Sequence, residues 1–247
     1  MTLARTKAHY ETYPFLEGGP RRVARWAERL RAELPDALLS GSLVLDVGCG
    51  SGEVAQSLAG RGARVVGLDL TEAAARRTRG RGERVTACQA SALALPFPSR
   101  VFDHTVSIGV LHHTPDAFRG LAEMVRVTRS GGRIVILLYA RWTPYHLLYG
   151  VTAPLRRRVP VRRLDDVPPW ALACLRPGVR LLIGQRLSDD QLRRLVADQI
   201  WTPRATFDGP TQIRRWARTL GVRLRARRRI FGYSNVFILE RPPAPGR

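Results

Sequence analysis

The sequence predicts an α/β fold around a doubly wound, mostly parallel sheet, and three observations carry that expectation. Short apolar β runs alternate with amphipathic helical stretches from Leu43 to Ala140, the pattern of parallel strands joined by crossover helices. The first run, Leu43–Val47, opens directly into a turn with glycine at 48, 50 and 52 and then a helical stretch, the place where such sheets receive ligands. The second run ends in an acid, Asp69, which falls 23 residues after Asp46.

Taken in order, an amphipathic helix over Arg21–Leu34 precedes the first strand. Glu53–Leu58 reads as helix, Arg64–Leu68 as strand, and the Ala-rich Thr71–Arg79 as helix with Thr71 as its N-cap. Arg84–Cys88, Phe102–Gly109 and Arg133–Tyr139 supply further β runs. Between the last two, Asp116–Val127 is a helix with Phe118, Leu121, Met124 and Val125 on one face. Arg141–Pro203 interrupts the alternation as an insertion of helices containing Pro and Trp. Helix Pro210–Leu220 and β runs Val222–Ile230 and Tyr233–Glu240 then form a hairpin closing the sheet edge, with Arg223, Arg225 and Arg227 on one solvated face. The expected organisation is one domain over 1–247: a cap to residue 40, a core over 41–140, a helical lid over 141–205, a closing helix and hairpin over 206–240, and a loose Pro-rich tail from Arg241.

At 247 residues and 45% hydrophobic, the chain is too apolar to be disordered. Its glycines and prolines follow no period and no heptad run is sustained, which excludes collagen-like and coiled-coil chains. Cys49, Cys88 and Cys174 form no CxxC or Cys/His cluster, which argues against a disulfide framework or structural zinc and for a reduced, cytoplasmic protein. The N-terminus has no apolar leader core, and the longest apolar run, Ile134 to Ala140, is too short for a membrane span. The net charge of +21 comes almost wholly from arginine, forty against the single Lys7. The chain up to Ala140 has 19 basic and 13 acidic residues, and the remainder 22 and 7. So lopsided a ratio reads as GC-rich coding, and the charge as solvated surface in preference to a polyanion site.

Around the glycine turn, GxGxG follows Asp46, in contrast to the GxGxxG that seats a diphosphate on a helix N-terminus. A carboxylate there repels a diphosphate and suits a ligand bearing an ammonium group. Asp69 can accept both hydroxyls of a ribose or charge the N-terminus of the helix at Thr71; beside the glycine turn, the ribose reading leads. His112 and His113 lie just past the fourth strand, and an imidazole titrates in the range a general base needs. His113 is the candidate base, against a hydrogen-bonded structural histidine at a helix entry. No further ligands are spaced to make the pair a metal site. Tyr10, Tyr13 and Phe15, aromatics of an N-terminal segment, read as packing. Trp142, Tyr145, His146, Tyr149, Trp170 and Trp201 either wall an apolar pocket or bury themselves within the insertion, and both can hold.

Five motifs in order make the chain resemble a class I S-adenosylmethionine-dependent methyltransferase. They are Asp46-Val47-Gly48-Cys49-Gly50-Ser51-Gly52, Gly67-Leu68-Asp69-Leu70, Leu95-Pro96-Phe97 with Phe102-Asp103, Gly109-Val110-Leu111-His112-His113, and Arg126-Val127-Thr128-Arg129-Ser130-Gly131-Gly132-Arg133. The resemblance implies a Rossmann-like sheet of seven strands with the last antiparallel, and S-adenosylmethionine as cofactor without a metal. It places the methionine part at Asp46, Gly48, Gly50 and Gly52, the ribose at Asp69, and the adenine at Leu70, Ser91 and Ala92. Ser107 and His112 would pack near the cofactor, and Tyr10 and Tyr13 with the Arg21–Leu34 helix would form the cap. Tyr145 and His146 would face the acceptor. Ser91 departs from the acid that many relatives use toward the adenine amino group, and Ser130 from a common proline.

The leading expectation is therefore methyl transfer to a small molecule by direct displacement, in secondary metabolism. A tRNA or RNA methyltransferase draws on the arginines, including Arg156-Arg157-Arg158 and Arg227-Arg228-Arg229, but no RNA-binding module accompanies them and nucleic acid is not the favoured partner. A lipid or quinone methyltransferase at a membrane surface draws on the same arginines and on Tyr145–Leu155. A non-catalytic nucleoside-binding subunit is the remaining alternative, and nothing in the sequence indicates an oligomeric state.

Overall fold

The computed structural model describes residues 3–12, 19–158, 166–183, 188–199, 201–202, 204–230 and 232–243. Strands β1 (Leu43–Val47), β2 (Arg64–Asp69), β3 (Val85–Gln89), β4 (His104–Ile108), β5 (Arg133–Tyr139), β6 (Arg223–Ile230) and β7 (Ser234–Glu240) make one sheet in the order β3-β2-β1-β4-β5-β7-β6. The first five are mutually parallel, and β7 runs antiparallel to both β5 and β6. The doubly wound sheet with a closing hairpin is as the sequence predicts.

Helices α1 (Leu3–Thr12), α2 (Gly19–Arg29) and α3 (Asp36–Leu39) precede β1. Helices α4 (Glu53–Ala59), α5 (Glu72–Arg79) and α6 (Ala117–Val127) lie between the parallel strands, α7 (Pro144–Val151), α8 (Ala153–Arg158), α9 (Pro169–Ile183) and α10 (Asp189–Gln199) make up the insertion, and α11 (Pro210–Thr219) leads into the hairpin. One sheet face buries Leu45, Ile134, Ile136 and Phe237 with Leu121 and Met124 of α6 and Ile213 of α11. The other buries Val44, Val65, Val106 and Val135 with Trp26, Val54 and Leu58. β1 and β5 are apolar toward both layers, which is why they occupy the interior of the sheet.

Local chemistry sets the element ends. Thr71 accepts from the Ala74 amide at 3.4 Å at the start of α5, and Asp116 from the Arg119 amide at 2.9 Å at the start of α6. The Arg21–Leu34 helix ends early, at Arg29, and the chain turns to bury Leu30 and Leu34 before Pro35, which disfavours helical backbone in the residue ahead of it. Phe102 is not in β4, because it bridges to Thr128 beyond α6. Arg241 is anchored, in contrast to the expected loose tail: its Nη1 donates to the carbonyls of Val125 and Thr128, both at 2.8 Å, closing the C-terminus of α6.

The edge strand carries a further correction. A bulge between Leu224 and Ala226 shifts the register against β7, so Arg223, paired with Glu240, and Arg227, paired with Phe237, fall on opposite faces of the sheet. The guanidiniums are also engaged: Arg225 is bidentate on Glu240 at 2.8 and 2.7 Å, and Arg227 donates to Asn235 at 3.0 Å.

The insertion has its own small core of Val167, Leu172, Leu192, Val196 and Trp201. Trp142 and Trp170 remain 85% and 54% exposed, so these two rings wall no pocket. A β-bridge between Ala140 and Asp208 joins the two ends of the excursion.

Glu33 is 1% exposed and meets Arg228 from the edge strand, whose guanidinium also donates to the Arg29 carbonyl at 2.5 Å. Arg228→Ala leaves a buried carboxylate without its cation, so urea unfolding should show a loss of about 1–3 kcal/mol, with Glu33→Gln in the same chain recovering part of it.

Candidate functional site

The C-terminal ends of β1, β2, β4 and β5 converge on one mouth. The Gly48 and Cys49 amides both donate to the Leu68 carbonyl, at 2.6 and 3.0 Å, so the turn after β1 is clamped to β2. Gly48 has φ +78°, and a Cβ there would collide with the Val110 side chain. Gly50 has φ +55°, and nothing beyond its chain neighbours lies within 4 Å of where a Cβ would stand. The turn therefore needs glycine for two reasons, close approach on one side and an open, side-chain-free surface on the other. Gly52, at φ +82°, starts α4 and is backed by Thr78.

Two carboxylates face this turn. Asp69 receives the Gly50 amide at 3.0 Å on one oxygen and the Thr71 amide and hydroxyl at 2.9 and 3.1 Å on the other. It holds the turn and starts α5 at once, and Oδ2, with a single donor, retains capacity for another. Asp46 is 1% exposed, and its Oδ2 has no hydrogen-bond donor. Burial, reinforced by the charges of Asp69 and Glu53, pushes its carboxyl up to about 7 despite a hydrogen bond from the Ala55 backbone. Glu53, itself buried, accepts from the Ser51 hydroxyl. The site thus concentrates negative charge beside an open backbone surface.

Beyond β2, Leu70 is half-buried, with its carbonyl taken by Gln89 Nε2 at 3.0 Å. Ser91 and Ala92 are half-buried in the loop after β3, where the Ser91 hydroxyl accepts from the Leu93 amide at 3.1 Å. Ser107 is fully buried, and its hydroxyl donates to the Val47 carbonyl at 3.0 Å, tying β4 to the base of the glycine turn.

His112 and His113 occupy a 3-10 turn, Leu111–His113. His112 is wholly buried, and its ring stacks on Tyr139 with centroids 3.8 Å apart. Burial, then the neighbouring His113, holds it well below the usual histidine range, so it is neutral and packs. His113 Nδ1 lies 2.7 Å from the Arg204 carbonyl oxygen, to which it must donate, so the neutral ring carries its lone pair on Nε2. Tyr10 of α1 meets the His113 ring edge-on at 6.1 Å, and burial followed by the charge of His113 lowers His9 to about 4. α1 therefore packs over the His113 turn. Tyr13 and Phe15 lie outside the described residues.

Tyr145 packs on Tyr139 at 5.0 Å and on Tyr233 at 5.2 Å, and His146 lies 4.4 Å from the Phe207 ring. Sequence reading missed Tyr139, Phe207 and Tyr233, and also the return segment after the insertion. There the Thr206 amide donates to the His112 carbonyl at 2.8 Å. Tyr139 was visible as an aromatic at a strand end, but nothing near Phe207 in sequence announces that it meets residues 60 or more positions away. Among the described residues, no group of three or more metal-ligating side chains gathers anywhere.

Comparison with known proteins gives this arrangement a family. Residues 45–136 match a family described as a methyltransferase domain. A demethylmenaquinone methyltransferase of Renibacterium salmoninarum is 31% identical over 73% of this chain and 74% of its own length. One from Thermobifida fusca is 37% identical over 57% of this chain and 54% of its own; this relative, a 27-O-demethylrifamycin SV methyltransferase of Amycolatopsis mediterranei and a demethylmenaquinone methyltransferase of Beutenbergia cavernae are each spanned by the chain over about half their length. Magnesium protoporphyrin IX methyltransferase from Synechocystis has the same fold, with TM-score 0.58, 17% identity and coverage of 97% and 95% of the two chains. The chain belongs to the class I S-adenosylmethionine-dependent methyltransferases.

The raised carboxyl of Asp46 makes a prediction that needs no ligand. Its folded value, about 7, exceeds the ordinary 3.8, so the folded state holds the proton more tightly than the unfolded one, and stability falls as pH rises from about 4 to 7. Asp46→Asn removes this penalty. Denaturant unfolding of variant and parent should show the variant gaining by roughly 3–4 kcal/mol more at about pH 8 than at about pH 4, and a pH-independent difference would rule out the buried ionisation.

Proposed function

We propose that the protein transfers the methyl group of S-adenosylmethionine to a small apolar or aromatic molecule. The observation that carries this is the unpartnered Asp46 Oδ2 beside the open surface of Gly50. A ligand that brings an ammonium group would satisfy the one carboxylate oxygen that the protein leaves without a donor, and a diphosphate would worsen it.

The residues fit the cofactor in kind. Asp46 and the Gly48, Gly50 and Gly52 turn would hold its amino acid part, Asp69 its ribose hydroxyls, and Leu70, Ser91 and Ala92 its base at the rim of β2 and β3. Once bound, the cofactor supplies an electrophilic methyl on a sulfonium, so the protein contributes alignment and exclusion of water in place of covalent catalysis. His112 stacked on Tyr139 forms an apolar floor, and α1 with Tyr10 closes the site from above. His113, with Nδ1 fixed on the Arg204 carbonyl, takes a proton on Nε2 from an acceptor that carries one. Tyr139, Tyr145, His146 and Phe207 would present aromatic surface to the acceptor.

Relatives named as demethylmenaquinone methyltransferases support an aromatic small-molecule acceptor. The polyanion reading is weakened by the engagement of Arg225, Arg227, Arg228 and Arg241 in contacts within the protein. A setting in secondary metabolism belongs to this proposal as well, and a cytoplasmic location is the one in which such a cofactor is available; no helix among the described residues is long and apolar enough to cross a membrane.

Calorimetry with S-adenosylmethionine should show affinity rising as pH increases toward about 7, by up to tenfold per unit, and levelling above, because Asp46 must release its proton to receive the ammonium. Asp46→Asn should flatten that dependence and weaken binding, and Asp69→Asn, which keeps the size of the group that anchors Gly50 and Thr71, should cost about 1.5–3 kcal/mol of affinity. Unchanged affinity in both variants would overturn the placement. Turnover of quinols and phenols, followed by mass spectrometry, should fall with His113→Ala while cofactor affinity holds.

A further inference from the structure

α7 is apolar on both of its faces. Toward the protein, Tyr145, His146 and Tyr149 pack on Tyr139, Phe207 and Thr202. Toward the outside, Leu147 and Val151 are 70% and 69% exposed and Leu148 is 39% exposed, with Trp142 just ahead at 85%. A surface helix ordinarily turns polar residues outward; one that is apolar all round belongs in a protein interior or against lipid.

The neighbourhood supplies the complementary charge. From Arg141 to Arg158 the sequence has four arginines and no acid. The Arg141 guanidinium lies 5.6 Å from the centre of the Trp142 ring, and Arg158 is exposed at the end of α8. Trp142 takes a φ of +58°, unusual for a bulky residue, while its amide donates to His146 Nδ1 at 3.2 Å. The backbone thus bears a local cost in a conformation that leaves an indole in solvent.

We infer that Trp142 and the outer face of α7 dock on a membrane surface containing anionic phospholipid. Leucine and valine side chains enter the acyl boundary, the indole sits at headgroup level, and the arginines meet lipid phosphates. Leu147, Leu148 and Val151 offer nucleic acid neither stacking nor hydrogen bonds. A second copy of the chain would set one basic C-terminal region against another. The docking does not depend on the methyl-transfer reading; if both hold, the inner face of the same helix lies where an acceptor dissolved in the bilayer would arrive.

Co-sedimentation of the full chain with vesicles tests it. Binding is expected to phosphatidylcholine vesicles containing phosphatidylglycerol, less to phosphatidylcholine alone, and L147E/V151E should partition about tenfold or more weakly while keeping the parent's thermal unfolding and S-adenosylmethionine binding. Should the glutamates shift the unfolding transition, L147S/V151S takes their place with the same expectation. Absence of binding to either vesicle overturns the inference, and so does equal binding by parent and variant, which would mean adsorption through arginines alone. Conversion of a dimer to a monomer by L147E/V151E without any vesicle binding would assign the face to a second copy, and loss of tRNA binding without any vesicle binding would assign it to RNA.

Discussion

A buried carboxylate with one oxygen left without a donor, placed at the end of a central strand, is the constraint around which the upper rim of this protein is built. Asp46 sits there because β1 is apolar toward both layers and pairs on both sides, so its last residues point into the mouth of the sheet without freedom to retreat. Desolvation alone would make the group a liability. Asp69 and Glu53 increase the negative potential, and the glycine turn offers no side chain to offset it. On the function proposed above, a cationic ligand would complete the arrangement and offset the cost of burying the charge.

The neighbouring histidines show how environment divides two identical side chains. His112 is sealed under Tyr139 and kept neutral, whereas His113 is oriented by a carbonyl 91 residues further along the chain. The orienting partner arrives only because the insertion returns across the 3-10 turn, with Thr206 bonded to His112 and Arg204 to His113. The return from the insertion is thus the element that orients the His113 ring.

Much of this architecture was legible in the sequence because it rests on local signals. The strand runs, the cap at Thr71, and the acid-then-glycine turn are written in a few adjacent residues each. Where the reading failed, the deciding interaction was distant or irregular. The bulge at Arg225 inverts the facing of the arginines after it, and no composition rule marks a single extra residue in an edge strand. Arg241 reads as tail until the bare carbonyls at the end of α6, more than 110 residues earlier, are brought beside it. Asp69 read as a ribose acceptor ahead of a charge at the N-terminus of α5; its bond from the Thr71 amide accords with the second reading, and its bond from the Gly50 amide was foreseen by neither. The aromatic cluster around Tyr139 draws on β5, α7, the return segment and the β6–β7 turn, so only the folded chain assembles it.

The bridge between Ala140 and Asp208 has a consequence for how such a protein can diversify. Because the excursion leaves and re-enters at neighbouring points, its stem is closed by the sheet itself, and the closure entropy of what lies between grows only slowly with length. Everything distal to that stem can be lengthened, trimmed or exchanged while the registers of β5 and β7 stay as they are. Change in this excursion is therefore confined to a single seam, leaving the half of the molecule that carries Asp46 untouched.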